Sequence, residues 1–203
     1  MTVRGWPVHL QQGPIGLRPL MRGDAPVWRE VRSRNRSWLT PWEATLPPGV
    51  ERAPQSFRGM ARELNRQARA GRTLPFATTW DGRLIGQVTV SSITWGSARS
   101  ASIGYWIDSA HAGKGVTPMA VAMAVDHCFD TVGLHRIEVA IRPENVASLR
   151  VVDKLGLRRE GAAPRYLHID GAWRDHLLFA VTREEVREGL VTRLQRLSHP
   201  SQQ

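Results

Sequence analysis

The sequence predicts one mixed α+β domain. Two Asp-Gly pairs, Asp81-Gly82 and Asp170-Gly171, each separate two β-rich runs, which is a strong signal for a tight hairpin. Other segments repeat their apolar residues at helical spacing. Together these segments give the order β α α β β β α β α β β over about 180 residues.

The first strand is predicted over residues 15–20, and the helix after it has Asp24 as its N-cap and Pro26 in its first turn. A Pro-rich loop then leads to a second helix over residues 55–72, which Gly71 closes and whose outer face is strongly basic. The apolar positions of this helix are Phe57, Met60, Ala61, Leu64 and Ala68.

Beyond the first hairpin, Ser100–Ile107 is predicted as a further antiparallel strand. Alternating side chains over residues 135–142 indicate a strand with two different faces. A short helix follows, with Asn145 as its N-cap and Gly156 at its end, and the second hairpin completes the sheet.

Composition limits the possible functions. The 203 residues, 41% hydrophobic, suffice for one core, so we expect one domain over residues 1–182 and a polar, partly helical tail over 183–203. The net charge of +10 suits a polyanionic partner, although solubility alone explains it equally well. Cys128 is the only cysteine, which excludes a disulfide framework and a cysteine zinc site, and we predict no metal. Without a signal peptide or a long apolar run, a cytoplasmic protein is expected.

A loop with Gly113 and Gly115 precedes a helix that Thr117 is predicted to cap, with Pro118 in its first turn. The free N–H groups and the positive dipole end of such a helix stabilise a bound pyrophosphate. Two glycines alone more often only turn the chain, and Lys114 would face either the ligand or the solvent.

The helix after this loop is predicted to lie in the core. Its apolar stripe is Val121, Val125, Cys128, Phe129 and Val132. Cys128 is therefore expected to act as a small hydrophobe and not as a nucleophile. The loop lacks P-loop spacing and follows an antiparallel meander, which argues against the common nucleotide folds.

Three segments resemble the GNAT acetyltransferases, and within them the RimJ-type ribosomal-protein-alanine N-acetyltransferases: GYWIDSAHAGKGVTPMAVAMAVDHCF, LHRIEVAIRPENVASLRVVDKLGLRREG and WRDHLLFAV. The resemblance covers nearly the whole chain. It implies the GNAT fold, in which a mixed, mostly antiparallel central sheet is splayed between its fourth and fifth strands, with helices on both faces. It also implies acetyl-CoA as the cofactor.

In this resemblance the pyrophosphate of the cofactor lies on the amides of the glycine loop and the pantetheine lies along the strand that ends at Ile107. Unpaired backbone groups of splayed strands can bond a pantetheine as if it were an added strand. Backbone N–H groups around Tyr105–Ile107 would stabilise the oxyanion. The cofactor-binding residues implied are Tyr105, Trp106, Ile107, Gly113, Lys114, Gly115, Val116, Thr117, Asn145 and Ser148.

The sequence departs from the family at three positions. Ala112 stands where the loop usually has Gln or Arg, and Thr117 stands where it usually has Gly or Ala. Val152 occupies the position of a tyrosine that serves some relatives as general acid. The first change removes one side-chain contact with the cofactor, and the last removes a proton donor.

Two residues are predicted to be catalytic in place of that tyrosine. Ser148 shares a helix face with Val152 and is the predicted proton donor to the thiolate, with capping of the helix as an equal alternative. Glu138 shares a strand face with Ala140, which matches a catalytic glutamate of the relatives. A carboxylate there could relay a proton through water, and the alternative is an ion pair with an arginine.

The acceptor implied is the N-terminal amine of a protein, most readily a ribosomal one, with ribosome association and a homodimer left open and no membrane partner. Aromatic side chains can hold a peptide terminus at low entropic cost. The predicted acceptor-binding residues are Trp38, Trp42, Tyr105, Tyr166 and Trp173. Two alternatives remain at this point: a small-amine acetyltransferase acting on an antibiotic or polyamine, and a basic RNA-binding module on an inactive scaffold. His135 and His176 receive no role.

Overall fold

A computed structural model describes residues 4–50 and 56–198. Eight strands form one sheet in the order β1-β2-β3-β4-β5-β6-β8-β7. The strands are β1 (Leu10–Gln12), β2 (Ile15–Pro19), β3 (Leu74–Trp80), β4 (Arg83–Thr94), β5 (Ser100–Ile107), β6 (Arg136–Ile141), β7 (Arg158–Ile169) and β8 (Ala172–Thr182). The helices are α1 (Ala25–Arg34), α2 (Arg36–Leu39), α3 (Phe57–Arg69), α4 (Val116–His127), α5 (Val146–Leu155) and α6 (Leu190–Ser198).

The two hairpins, the strand Ser100–Ile107 and the strand within residues 135–142 are confirmed. At both hairpins the Asp and the Gly adopt positive φ, the geometry that a two-residue turn requires. β1 was not predicted from the sequence; it pairs with β2 across a short turn.

Asp24 is the N-cap residue of α1 and Pro26 lies in its first turn, as predicted, but the side chain of Asp24 does not bond the N–H groups of this helix. Its carboxylate bonds the guanidinium of Arg18 at 2.8 Å and the backbone N–H of Met21 at 2.7 Å, which ties it to the turn before the helix. The helical segment after Asp24 is interrupted at Asn35, which separates α1 from α2.

The predicted basic helix corresponds to α3, which Ser56 caps by accepting a hydrogen bond from the N–H of Gly59 at 3.1 Å. Phe57, Ala61 and Ala68 are buried, and Met60 and Leu64 are partly buried against a core cluster. The predicted start at residue 55 lies outside the described residues.

Thr117 does not cap the helix after the glycine loop, contrary to the prediction. Gly115 is the N-cap, and Gly113 and Gly115 have φ of 77° and 78°. This left-handed backbone turns the chain directly into α4, so Thr117 falls at the second helical position. The predicted core stripe is confirmed, since all five of its residues are buried.

The helices lie on the two faces of the sheet. Side chains of α4, α5 and α6 belong to the larger core cluster, whereas Ala25 of α1 and Phe57 and Ala61 of α3 belong to a smaller cluster with Ala77 and Leu84 of the sheet. The division into a domain of residues 1–182 and a tail stays a prediction. Leu190 and Leu194 of α6 are buried in the larger core.

The sheet splits where β5 meets β6, its one parallel neighbour. These strands pair at three positions, from Ser100↔Arg136 to Ser102↔Glu138. Beyond them β5 remains paired with β4 and β6 with β8. The predicted splay between the fourth and fifth strands is confirmed, because β5 and β6 are the strands so numbered in the prediction.

Candidate active site

A cleft of about 570 Å³ opens at this split. Its walls are the end of β5, the loop that follows, the first turns of α4 and α5, and the α2 region. The lining residues are Trp38, Leu39, Trp42, Tyr105, Trp106, Ile107, Ala112, Gly113, Gly115, Val116, Thr117, Pro118, Glu144, Asn145, Val146, Ala147, Ser148, Arg150, Val151 and Lys154.

Backbone groups of β5 face the gap between the split strands. The N–H of Asp108 donates to the carbonyl of Ile85 at 2.8 Å, which continues the β4–β5 ladder. Alternate residues of a strand address the same neighbour, so Trp106 also bonds toward β4. The backbone groups of Tyr105 and Ile107 therefore point to the gap.

The glycine loop presents its backbone to the cleft. A Cβ placed on Gly113 or Gly115 would meet nothing within 4 Å, so open space lies beside both residues. The first N–H groups of α4 lie at this end of the cleft, because Val116 and Thr117 also line it. Lys114 is exposed and is not among the lining residues, so its side chain faces solvent.

A buried carboxylate holds the start of this loop. Asp108 is 1% exposed and accepts hydrogen bonds from the guanidinium of Arg34 at 2.5 Å and from the amide of Asn35 at 2.8 Å. Burial opposes ionisation of Asp108, but the bonds from Arg34 and Asn35 outweigh it and lower its pKa to about 2. Asn35 in turn accepts a hydrogen bond from the N–H of Ser109 at 2.9 Å. The network connects the end of α1 to the loop, and it was not predicted from the sequence.

The start of α5 forms the inner wall of the cleft. The side chain of Asn145 accepts a hydrogen bond from the N–H of Ser148 at 3.0 Å, which confirms Asn145 as the N-cap. The phenol of Tyr105 donates to the carbonyl of Ser148 at 3.3 Å. Burial raises the pKa of Tyr105 well above its usual range, so the phenol is protonated at neutral pH. Val152 is buried below this turn.

The structure does not bring Glu138 into the cleft. Its position is opposite Ser102, in the paired part of β5 and β6, and it is not among the lining residues. Its carboxylate accepts a hydrogen bond from the guanidinium of Arg136 at 2.7 Å. This is the ion pair named as the alternative to a proton relay.

Two of the predicted acceptor tryptophans line the outer mouth of the cleft. Trp38 is 39% exposed, and Trp42 packs under the guanidinium of Arg142, 5.3 Å from its ring centroid. Arg142 also donates to the carbonyl of Pro41 at 2.8 Å, so the segment that carries Trp42 is fixed against β6.

Tyr166 and Trp173 belong instead to the β7–β8 hairpin and do not line the cleft. They are 47% and 54% exposed and stack edge-on against His176 and His168, respectively. Their hairpin contacts the loop after α2, where the hydroxyl of Thr45 and Nδ1 of His168 lie 2.8 Å apart. These two aromatics thus lie beside the α2 region but outside the cleft itself.

The remaining titratable candidates have structural partners. His135 contacts Glu184 at 3.0 Å, and Nδ1 of His176 lies 3.0 Å from the carbonyl of Arg174. Burial raises the pKa of Cys128 to about 12, as expected of a hydrophobic position. Within residues 4–50 and 56–198, no group of three or more His, Cys, Asp or Glu side chains could hold a metal ion.

Two cations of the cleft were missed by the sequence analysis. Arg150 and Lys154 lie four residues apart on α5, and both line the cleft. Neither forms an ion pair with another described residue. Their spacing of four residues, which puts both on one face of the helix that begins after Asn145, is the signal that could have identified them.

Comparison with known proteins supports one family. The model of the acetyltransferase (GNAT) domain matches residues 15–158. The probable N-acetyltransferase YjcK of Bacillus subtilis is 43% identical over 104 residues, 51% of this chain and 58% of that protein, so the match spans less than two thirds of it. The ribosomal protein uS5-alanine N-acetyltransferase of Escherichia coli is 32% identical over 82% of this chain and 87% of that protein.

Solved structures agree with this match. Mycobacterium smegmatis RimJ in complex with CoA-disulfide superposes with a TM-score of 0.89, 42% identity, and coverage of 96% of this chain and 97% of that one. The ribosomal-protein-S5-alanine acetyltransferase from Vibrio fischeri gives a TM-score of 0.78 at 30% identity, over 88% of this chain and 98% of that one. In the described part of this chain, no helix combines the length and apolarity needed to span a bilayer.

Proposed function

Because this chain belongs to the GNAT acetyltransferase family and is an N-acetyltransferase, we propose that it acetylates the N-terminal α-amino group of a ribosomal protein. The acetyl donor is acetyl-CoA. The proposal rests on the cleft. It brings together the unpaired backbone groups of β5, the N-terminus of α4 and the aromatic side chains of Trp38 and Trp42. The uS5-alanine relative and the superposition on RimJ support a protein acceptor. A ribosomal acceptor also supports a cytoplasmic location and contact with the ribosome.

The donor set of the cleft fits coenzyme A. Gly113 and Gly115 leave space for a diphosphate beside the first N–H groups of α4. Arg150 and Lys154 of α5 add positive charge to the lining of the cleft. The gap-facing backbone of β5 suits an amide-rich chain, which is the chemistry of pantetheine. When bound there, acetyl-CoA supplies an activated acetyl thioester.

The residues of this chain then position the reacting groups. The backbone N–H groups of Tyr105 and Ile107 face the gap and would stabilise negative charge on an acyl oxygen. Ser148 lies at the inner wall, where its hydroxyl would give a proton to the departing thiolate. The phenol of Tyr105 is bonded to the carbonyl of Ser148 and would hold this turn in place.

A strong base is not required by this acceptor. An α-amino group has a pKa of about 8, so an appreciable fraction is neutral near pH 7. A role for Glu138 as a water-mediated relay stays a prediction, and its bond to Arg136 argues for a structural part instead.

The mouth of the cleft favours a peptide over a polyamine. Among the described lining residues the only carboxylate is that of Glu144, and it is paired with Arg142 at 3.1 Å. The cleft therefore offers little electrostatic attraction to a polycation. Trp38 and Trp42 offer flat apolar surfaces to the first residues of a peptide, and Tyr166 and Trp173 would contact residues further along it.

The test is release of the CoA thiol with a panel of acceptors. Peptides that begin with alanine or serine should be turned over, the same peptides with a blocked N-terminus should not, and spermidine and an aminoglycoside should react more slowly. Preferred turnover of a small amine would contradict the protein acceptor. Measured acetyl-CoA binding without turnover of any acceptor would instead support an inactive scaffold.

A further inference from the structure

The outer face of α3 carries a row of arginines. Arg58, Arg62, Arg66 and Arg69 follow one another at spacings of four, four and three residues, which places them on one side of the helix. All four are exposed, and so is Arg72 just after the helix. We call these five residues the α3 arginine row.

The charge of this row is nearly uncompensated. Arg66 pairs with Glu63 at 2.7 Å. Across the described ranges, the side chains of Arg58, Arg62, Arg69 and Arg72 form neither an ion pair nor a hydrogen bond. Three positive charges without a paired carboxylate therefore lie on one face of α3, and Arg72 adds a fourth just after the helix.

The helix that carries the row is firmly held. Phe57, Ala61 and Ala68 bury its inner face. The side-chain amide of Asn65 donates to the carbonyl of Leu20 at 2.8 Å, which links the helix to the segment after β2. The 13 residues of α3 span about 20 Å. The arginines are thus displayed on a rigid support.

We propose that the α3 arginine row binds the phosphate backbone of RNA. Arginine presents a planar fork that matches phosphate oxygens, and the five members of the row are all arginines. Double-stranded DNA carries about one negative charge per 1.7 Å of its axis, and an RNA duplex likewise has two phosphates per base pair, so 20 Å of duplex offers more phosphates than the row has arginines.

A nucleic acid fits this face better than a docked protein. Protein interfaces are built around exposed aromatic and aliphatic anchors, and no residue of α3 is among the exposed large hydrophobic side chains. The choice of RNA rests on the proposed function, because a ribosomal acceptor brings the enzyme to ribosomal RNA. The location of α3 agrees with this choice. It packs on the same face of the sheet as α1, and α1 leads to α2, which carries Trp38 of the cleft.

The experiment compares two triple variants that lose the same charge. The row variant combines Arg58→Gln, Arg62→Gln and Arg69→Gln. The control combines Arg159→Gln, Arg165→Gln and Arg187→Gln, which are exposed on other elements. Binding to a fluorescent RNA duplex of about 20 base pairs is measured by anisotropy between about 50 and 200 mM salt. Glutamine retains helix propensity, and circular dichroism checks the fold.

The row variant should lose at least tenfold in affinity, and its slope of log affinity against log salt should fall by about 3, one unit per lost contact. The control should keep most of the affinity of the wild type. Equal losses in both variants, or tighter binding of the row to poly-glutamate than to RNA, would overturn the proposal.

Acetylation of a free peptide is measured in parallel, because α3 is not part of the cleft. The row variant should acetylate that peptide as fast as the wild type. Absent acetylation together with row-dependent RNA binding would contradict the proposed function alone. Normal acetylation together with RNA binding that is indifferent to the row would contradict this inference alone.

Discussion

The backbone of Ser148 is held in the wall of the cleft by two hydrogen bonds. Its N–H donates to the side chain of Asn145, and its carbonyl accepts from the phenol of Tyr105. These bonds do not use its hydroxyl. We therefore expect Ser148→Ala to lower kcat by about 100-fold or more and to leave the Kd for acetyl-CoA nearly unchanged. Stopped-flow thiol release and calorimetry measure the two quantities. Ser148→Thr, which keeps a hydroxyl, should recover part of the rate, and an unchanged rate in Ser148→Ala removes Ser148 from the mechanism.

Asp108 and Glu30 provide a matched pair, because both carboxylates bond Arg34 but only Asp108 is buried. Asp108→Asn should cost about 1.5–3 kcal/mol of unfolding free energy, since it removes charge-assisted bonds to Arg34 and Asn35. Glu30→Gln should cost less than about 1 kcal/mol, because that pair is exposed. Urea unfolding measures both changes, and the Kd for CoA should rise only in Asp108→Asn. Equal losses would show that the buried network does not support the loop.

At single residues, sequence reasoning succeeded where the signal is local. Asn145 was identified as a cap because its side chain bonds an N–H three residues away. For Asp24 the sequence predicted the N-cap position but not the bond to Arg18, which gives its carboxylate a partner other than the helix N–H groups. Glu138 is a similar case, since strand alternation placed it on a face but gave no information about Arg136.

Among the elements, α6 tests how the end of the described chain contributes to the core. Leu190 is fully buried, whereas Leu197 is 66% exposed on the same helix. Leu190→Ala should cost about 2–5 kcal/mol of unfolding free energy, because it leaves a cavity between α4 and α6. Leu197→Ala should change it by less than about 0.5 kcal/mol. Chemical denaturation measures both, and similar values would mean that α6 is not docked in solution.

The secondary-structure elements show the same contrast: features set by neighbouring residues were predicted, and features set by contacts between distant parts of the chain were not. The hairpins at Asp81-Gly82 and Asp170-Gly171 were predicted because two residues determine the turn. The break between α1 and α2 was missed because Asn35 bonds Asp108, more than seventy positions away in the chain. The cleft was predicted in outline from one loop and a family resemblance, and Arg150 and Lys154 became visible only once α5 had been placed against it.

For the whole molecule, two buried histidines predict a loss of stability in mild acid. Burial lowers the pKa of His127 and of His176 below the ordinary value near 6.5. The unfolded chain therefore binds protons more readily, and the free energy of unfolding should fall as the pH drops from about 7.5 to 5.5. Urea midpoints across this range measure the effect.

His127→Gln tests the source of this pH dependence. Glutamine can still donate to the carbonyl of Gly5, which lies 3.0 Å from Nε2 of His127, but it does not titrate in this range. The variant should show a flatter pH dependence than the wild type. An unchanged slope would assign the effect to other groups.

The split between β5 and β6 should also be visible as a pattern in hydrogen exchange. The amide of Trp106 is bonded toward β4 and should exchange slowly, whereas the amides of Tyr105 and Ile107 face the gap and should exchange faster. A bound CoA should slow exchange at Tyr105 and Ile107 and leave Trp106 nearly unaffected. The alternation, read residue by residue by NMR, would report occupation of the cleft from the backbone alone, independently of any acetyl transfer.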